Sequence, residues 1–300
     1  MTKRIGFIGV GLMGHGMAKN LLEKDFPVTA MAHRNRAPLE DLIARGAQEA
    51  PDPRTLAEAS DTVIICVTGA PQVEAVAYGE AGILAAARAG LTVIDCSSSE
   101  PATTARLAED LAAKGAVLAD APLARTPVEA EAGRLNTMFG ADEATFAEIR
   151  PVLEAFCENI FHVGPVGSGH KCKLVNNFLA MGQAALIAEA LAACAATGVD
   201  IGKFYEVVSA GGANSGIFQL ILPKAMNEGD FSGLQFSLAN AAKDLRYYTR
   251  MTEAAQLTGN LGNGVHHALV QGLNIGFAEG FVGDLIRAQT RLNGVEILAE

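Results

Sequence analysis

Lys173 and Asn177 are the two residues of this sequence best suited to moving a proton, because they stand four positions apart and a helix puts such a pair on one face. A lysine can give a proton as the ammonium or take one as the amine, and a carboxamide beside it can hold a hydroxyl or carbonyl by hydrogen bonds. By itself, a lysine in the first turn of a helix is an ordinary solvated residue, so the surrounding elements decide between the readings. Gly164, Pro165, Gly167 and Gly169 break up a loop, after which His170 to Thr197 runs without a Gly/Pro pair or a polar cluster. The pattern predicts one long helix opening near Ser168 as its N-cap. Ala, Leu, Ile and Met fill most faces, and Gly182 is the one glycine between His170 and Thr197. Such a helix is expected to be buried nearly all round, between packed bodies.

The chain has 300 residues, 50% hydrophobic and 19% charged, which allows a large core and suggests two domains. A net charge of −10, with no long basic run, argues against a nucleic-acid partner. Any anionic ligand must then be met by a few local cations. The five cysteines are odd in number, lack CxxC spacing and lie mostly in apolar runs, which reads as reduced core residues of a cytoplasmic protein. Met1 leads straight into a strand pattern without a targeting core. Residues 178–196 are long enough to raise a membrane span, but Gln183 and Glu189 interrupt them, and no membrane association is expected.

The elements that must position Lys173 and Asn177 begin at the N-terminus. KRIGFIG reads as a short apolar strand, and the glycines after it lead into a helix beginning near Met13. In that context Gly9, Gly11 and Gly14 form a GxGxxG turn: a tight bend, a close approach to a pyrophosphate, and close packing of helix on strand. The helix N-terminus adds free N–H groups and partial positive charge for phosphate. The next strand, PVTAMA, ends in Ala32, His33, Arg34, Asn35 and Arg36, where an NAD site usually places an acid for the ribose 2′-hydroxyl. Two arginines, with His33 beside them and no acid before Glu40, fit a 2′-phosphate better. NADP is therefore the expected cofactor, with NAD as the alternative.

TVIICV (62–67) and LTVIDC (91–96) read as further strands ending in Val67-Thr68-Gly69 and in Ser97-Ser98-Ser99. The carboxyl ends of parallel strands line the ligand crevice, so these turns should border the nicotinamide. AVLADAP (116–122), TMFGAD near Thr137 and NIFHVG continue the strands, with helical patterns at 71–77, 101–114 and 143–156. Alternation stops there, and only helical patterns follow Ser168, including 201–209, 238–257 and 264–273. The expected architecture is an α/β Rossmann domain with a parallel sheet over residues 1–166, then an all-helical substrate and oligomerisation domain over 167–300. The long helix joins the two.

No metal-ligand spacing, GxSxG elbow, or Cys or Ser with an evident base is present, so hydride transfer is the economical chemistry. Arg125 and Thr126 follow a strand end in DAPLARTPVEAEAGRL, where an arginine fork can receive an anion. AAKDL places Lys243 and Asp244 in an otherwise apolar helix face.

In this order, FIGVGLMGHGMAKNLL, DCSSSEP, DAPLARTPVEAEAGRL, GSGHKCKLVNN and AAKDL resemble the β-hydroxyacid dehydrogenase family over essentially the whole chain. That family includes 3-hydroxyisobutyrate dehydrogenase and tartronate semialdehyde reductase. The resemblance implies that Lys173 is the catalytic lysine and Asn177 its companion on the helix face. It implies Lys243 as a lysine that closes over the cofactor, and Leu12, Met13, Val67 and Ser98 as cofactor contacts, with Thr68 beside them. Lys173 would stabilise and protonate the developing alkoxide, with a pKa lowered by burial and by Lys243, while Asn177 fixes the substrate. Ala124, Arg125, Thr126, Asn176 and Asn177 are the expected substrate contacts.

Where the family commonly reads DAPVSGG, this chain has Ala124-Arg125-Thr126 in place of Ser-Gly-Gly. The exchange resembles the sulfolactaldehyde reductase branch, whose Arg-Thr pair is implied to bind a sulfonate. That branch carries an acid where Ala32 stands and prefers NAD. The expected activity is NAD(P)-dependent interconversion of a short anionic aldehyde and its primary alcohol, in a homodimer or homotetramer. An ordinary 3-hydroxyisobutyrate or tartronate semialdehyde activity is the alternative. Imine reduction or a non-catalytic cofactor-binding module are alternatives of another class, and both predict loss of the lysine.

Overall fold

The computed structural model describes residues 2–32 and 34–298. His33, part of the expected cofactor-discriminating turn, lies outside the described residues. The chain divides into two compact units, Met1–Lys173 and Leu174–Glu300.

The first unit is built on β1 (Ile5–Ile8), β2 (Val28–Met31), β3 (Gln48–Glu49), β4 (Thr62–Ile65), β5 (Thr92–Asp95) and β6 (Val117–Asp120). These pair in the order β3-β2-β1-β4-β5-β6, parallel throughout. β7 (Leu123–Ala124) and β8 (Leu135–Gly140) add antiparallel pairing beyond β6, and β9 (Cys157–Gly164) runs parallel to β8. Helices α1 (Gly14–Glu23), α2 (Ala37–Ala44), α3 (Pro53–Glu58), α4 (Ala70–Tyr78), α5 (Ile83–Ala86), α6 (Pro101–Ala112), α7 (Pro127–Glu131) and α8 (Glu143–Leu153) connect them. The central strands β1, β4 and β5 are buried along their whole length, as covered parallel sheets require. Ile64 and Ile94 pack with Phe7, Met17, Leu21 and Phe139 on one side, and Val63, Ile65 and Val93 with Leu56, Val73 and Leu107 on the other. The strand order reverses between β1 and β4, the point at which such sheets open a ligand crevice at their carboxyl ends.

The second unit is helical among the described residues apart from one isolated strand-like bridge, Ser237 to Phe281. After α9 (Ser168–Thr197), which begins in the first unit, come α10 (Ile201–Ala210), α11 (Gly216–Glu228), α12 (Leu238–Ala254), α13 (Asn260–Gly272) and α14 (Leu285–Asn293). Its core gathers Phe218, Leu222, Leu238, Leu245, Tyr247, Leu269 and Val282. Phe178 of α9 stacks on Tyr248 of α12 with ring centroids 4.4 Å apart.

Two expectations need correction. α9 is not buried all round: Leu174, Met181, Ala188 and Leu191 are inside, but Val175, Leu179 and Leu186 are 44%, 58% and 69% exposed. Uniform apolarity hid the stripe because composition carries no face information when every face is apolar. It is also the one helix, among the described residues, long and apolar enough to cross a membrane. Second, the first N–H groups of α9 are received by Asp120, not by a cap at Ser168 as the local sequence suggested. The first turn and more of α9, through Lys173, is grouped with the sheet unit.

Candidate active site

The glycine turn after β1 is tight at two of its glycines and open at the third. Gly9 has φ +99° and sits so close to the chain after β4 that a Cβ there would lie 2.1 Å from the Cys66 carbonyl oxygen. A Cβ at Gly14 would lie 2.0 Å from the Gly9 carbonyl oxygen, so helix α1 leaves the strand without room for a side chain. Gly11, by contrast, has nothing within 4 Å of its Cβ position, and Leu12 beside it is 83% exposed. Two glycines tighten the turn and the third leaves open space at the start of a helix, which fits a pyrophosphate against backbone N–H groups. Met13 occupies the N-cap position of α1 without a side-chain cap bond, so it adds no polar group that would compete with phosphate.

The carboxyl ends of β4 and β5 are tied together. Ser97 Oγ accepts from the Val67 N–H at 3.0 Å, and Asp95 receives the Ser97 N–H and the Ser99 hydroxyl, both at 2.8 Å. Val67, Thr68 and Ser98 therefore stand on a braced rim. Beyond β2, Arg34 is exposed, and Arg36 forks onto Glu49 of β3 with bonds of 2.9 and 3.0 Å. Glu40 is 3.7 Å from Arg36, and Glu49 is held below the usual carboxylate range by the Arg36 hydrogen bond. Scanning the turn alone misses Glu49, which arrives through strand pairing.

Lys173 sits one turn beyond His170 on α9, on the same helix face. The His170 ring is buried, with Nε2 3.0 Å from the Ser97 carbonyl oxygen and Nδ1 2.7 Å from the Thr104 hydroxyl. Lys173 is thus carried by a helix start pinned to the carboxyl end of β5, within the cofactor-binding unit.

In the second unit, Asn177 is buried and donates its side-chain amide to Asp244 at 2.7 Å. Asn176, largely exposed, points its amide at the Asn177 oxygen from 3.3 Å. Lys243 Nζ lies 2.9 Å from the other Asp244 oxygen and 5.3 Å from the centre of the Tyr247 ring. Asp244 therefore binds the two expected site residues of α9 and α12 to one carboxylate. The AAKDL string displayed it, but no local rule assigns an acid that role.

The substrate loop departs most from expectation. Arg125 adopts φ +82°, a conformation strained for a side-chain-bearing residue, at the position where the family pattern has glycine. Its guanidinium bonds to Glu158 of β9 and to the Arg134 carbonyl oxygen at 2.6 Å. Thr126 caps α7: its hydroxyl donates to Glu129 at 2.6 Å and accepts from the Val128 N–H. Ala124 ends β7. Among the described residues no group of three His, Cys, Asp or Glu side chains gathers as metal ligands would.

Comparison with known proteins also divides the chain in two, between residues 164 and 167. Residues 4–164 match the family described as the NAD binding domain of 6-phosphogluconate dehydrogenase. Residues 167–280 match the NAD-binding domain of NADP-dependent 3-hydroxyisobutyrate dehydrogenase. Similar proteins include 2-(hydroxymethyl)glutarate dehydrogenase of Eubacterium barkeri, 37% identical over 81% of this chain and 80% of that one. 3-Sulfolactaldehyde reductase of Escherichia coli is 32% identical over 80% of each chain. Among solved structures, 3-hydroxyisobutyrate dehydrogenase of Mycobacterium tuberculosis with L-serine has a TM-score of 0.87 at 24% identity, covering 96% of this chain and 99% of that one, and so shares the fold.

Proposed function

The chain belongs to the β-hydroxyacid dehydrogenase family, and from that premise we propose that it interconverts a short anionic aldehyde and the matching primary alcohol, with Lys173 as the proton donor and acceptor. It is an NAD(P)-dependent oxidoreductase acting on CH–OH groups. The observation that carries the proposal is the placement of Lys173 one turn from His170, whose ring is held at the carboxyl end of β5 beside the rim that borders the nicotinamide side.

When bound, the nicotinamide supplies a hydride to the carbonyl carbon. Gly11 and the start of α1 would receive the pyrophosphate, Val67, Thr68 and Ser98 would flank the nicotinamide side, and Arg34 and Arg36 would meet the 2′-phosphate of NADP. Lys243 is the further cofactor lysine that the family resemblance implies. The Lys173 ammonium donates its proton to the carbonyl oxygen as negative charge develops there. Aldehyde, reduced cofactor and one proton become alcohol and oxidised cofactor, and the Lys173 amine recovers its proton from solvent. In the oxidative direction the amine takes the hydroxyl proton. Asn177, its nitrogen already turned to Asp244, presents its oxygen as the acceptor for a substrate hydroxyl.

Two substrate classes compete. Arg125 and Thr126 resemble the sulfonate-binding pair, which supports a sulfonated three-carbon aldehyde. The commitments of Arg125 to Glu158 and of Thr126 to Glu129 favour the second reading, a carboxylate semialdehyde held by loop N–H groups. Initial rates of NADPH and NADH oxidation with 3-sulfolactaldehyde and with 2-hydroxy-3-oxopropionate separate the two. A wild-type enzyme inactive on both, in either direction, refutes the proposal. The same reading includes a homodimer or homotetramer, supported by the exposed Leu179 and Leu186 of α9 and tested by sedimentation.

A further inference from the structure

The sheet unit contains a buried polar assembly that none of the expected site residues belongs to. Asp120, at the end of β6, is fully buried. Its two carboxylate oxygens receive the backbone N–H groups of Gly167 and His170, both at 2.6 Å. Those donors are the orphan groups at the start of α9, and a carboxylate there also meets the positive end of the helix. Burial pushes the Asp120 carboxyl above its ordinary range, while His170 and the two N–H bonds pull it back. The titratable groups facing it are His170, 3.7 Å away, and Asp95, which lies 3.8 Å from the same ring.

The surrounding backbone is shaped to admit this contact. A Cβ at Gly140, opposite Asp120 in the β6–β8 pairing, would lie 2.4 Å from Asp120 Oδ1 and 2.9 Å from the Gly169 nitrogen. A Cβ at Gly169 would lie 2.2 Å from the Met138 carbonyl oxygen and 2.8 Å from both the Asp120 carbonyl oxygen and Oδ2. Glycine at both positions lets the helix start come down onto the strand ends. The ring of His170 then fixes the rotation of the helix, because Thr104 and the Ser97 carbonyl oxygen hold its two nitrogens from α6 and from the turn after β5.

We infer that Asp120 and His170 are positioning residues for Lys173: the carboxylate sets how close the helix start stands to the sheet, and the ring sets the direction in which the next turn presents its lysine. The inference rests on the reading of Lys173 as the proton-transferring group. Asp120 also begins the chain segment that becomes the substrate loop, so one carboxylate references both the lysine and Ala124 to the same strand end. A stability role alone would need neither the paired glycines nor a ring held at both nitrogens one turn before the lysine.

The test uses the full-length enzyme and two variants. Asp120→Asn keeps the shape but opposes an amide NH2 to one of the two N–H donors. Thr104→Val keeps the volume and removes the hydroxyl at His170 Nδ1. With 2-hydroxy-3-oxopropionate as the probe, Asp120→Asn should lower kcat by roughly tenfold to a hundredfold, and Thr104→Val by a smaller factor. Both should displace the limb of the kcat–pH profile that reports the proton donor. The dissociation constant for reduced cofactor, read by its fluorescence, should stay near wild type. If both variants fold and keep the wild-type kcat and pH limb, the inference is overturned. It is equally overturned if Asp120→Asn does not fold while Thr104→Val leaves the limb in place, since the assembly then serves stability alone. Activity surviving in Lys173→Ala would instead remove the reading of the lysine, an outcome neither of these variants can mimic.

Discussion

Asp244 accepts the side-chain amide of Asn177 at 2.7 Å, with both residues buried. The bond fixes which end of the amide is offered elsewhere: the nitrogen is turned to the carboxylate, and the oxygen, which faces the Asn176 amide at 3.3 Å, has a second lone pair for another donor. If Asp244 acts through Asn177, the two substitutions will not add. Asn177→Ala and Asp244→Ala are each expected to lower kcat/KM by about tenfold or more, the scale of a charge-assisted hydrogen bond. The double variant should be little worse than Asn177→Ala. Full additivity in the double-mutant cycle would show that Asp244 acts independently, through Lys243.

Arg34 and Arg36 are proposed to set cofactor choice. The Arg36–Glu49 pair is a solvent-exposed fork, 53% and 39% accessible on its two sides, so it contributes little to stability and should yield to a phosphate dianion. NADPH is expected to be preferred over NADH, and Arg34→Ala/Arg36→Ala should erase the preference by lowering kcat/KM for NADPH alone. Glu49→Gln should strengthen NADPH binding by freeing Arg36. Equal constants for both cofactors, unmoved by any of these changes, would leave the arginines as surface residues.

Glu158 and the Arg134 carbonyl oxygen both take Nη1 of Arg125, so a substrate anion would compete with Glu158 for the guanidinium. Arg125→Ala should raise KM for anionic aldehydes by roughly tenfold or more if the guanidinium contacts the anion directly. Glu158→Gln should then lower KM, because it removes the competing carboxylate. An Arg125→Ala penalty that disappears at high ionic strength would mean that the arginine only steers anions from the rim.

His15 offers a stability test away from the chemistry. Its Nδ1 is 2.6 Å from Glu131 of α7 and its Nε2 2.9 Å from Asp41 of α2. Burial works to lower the imidazole pKa, but the hydrogen bonds to Glu131 and Asp41 outweigh it and raise it above 6.5. The charged ring therefore contributes fully below pH 6.5 and the contribution is lost as pH rises through the raised folded-state value. Glu131 and Asp41 are held below their ordinary range, so their share is lost only in acid. The melting temperature should decline on going from pH 6 to pH 9, and His15→Gln should flatten much of that decline. A variant whose melting curve tracks wild type across this range would show that the bridge is energetically idle.

The features legible in the sequence were those written in adjacent residues. The glycine turn at Gly9, Gly11 and Gly14, the apolar strands TVII and TVID, and the long helix carrying Lys173 each depend on local spacing. Asp120, Glu49, Glu158 and Asp244 were not legible as partners, because strand pairing and helix packing bring each to its contact from a distance in sequence, 47 residues in the case of Asp120 and Gly167. The face of α9 that stays exposed was illegible for a different reason: with apolar residues on every side, nothing in the pattern distinguishes Leu179 from Leu191. Arg125 combines both limits, since its positive φ and its bond to Glu158 follow from the path of the loop and not from the Arg-Thr pair itself.

The central claim, that Lys173 moves the proton, is tested most directly by single-turnover reduction of 2-hydroxy-3-oxopropionate by Lys173→Ala preloaded with reduced cofactor. On this proposal the lysine acts in the transition state, so the variant should bind cofactor as wild type does and yet transfer hydride slower by about a hundredfold or more. A variant that binds cofactor normally and transfers hydride at the wild-type rate would contradict the account.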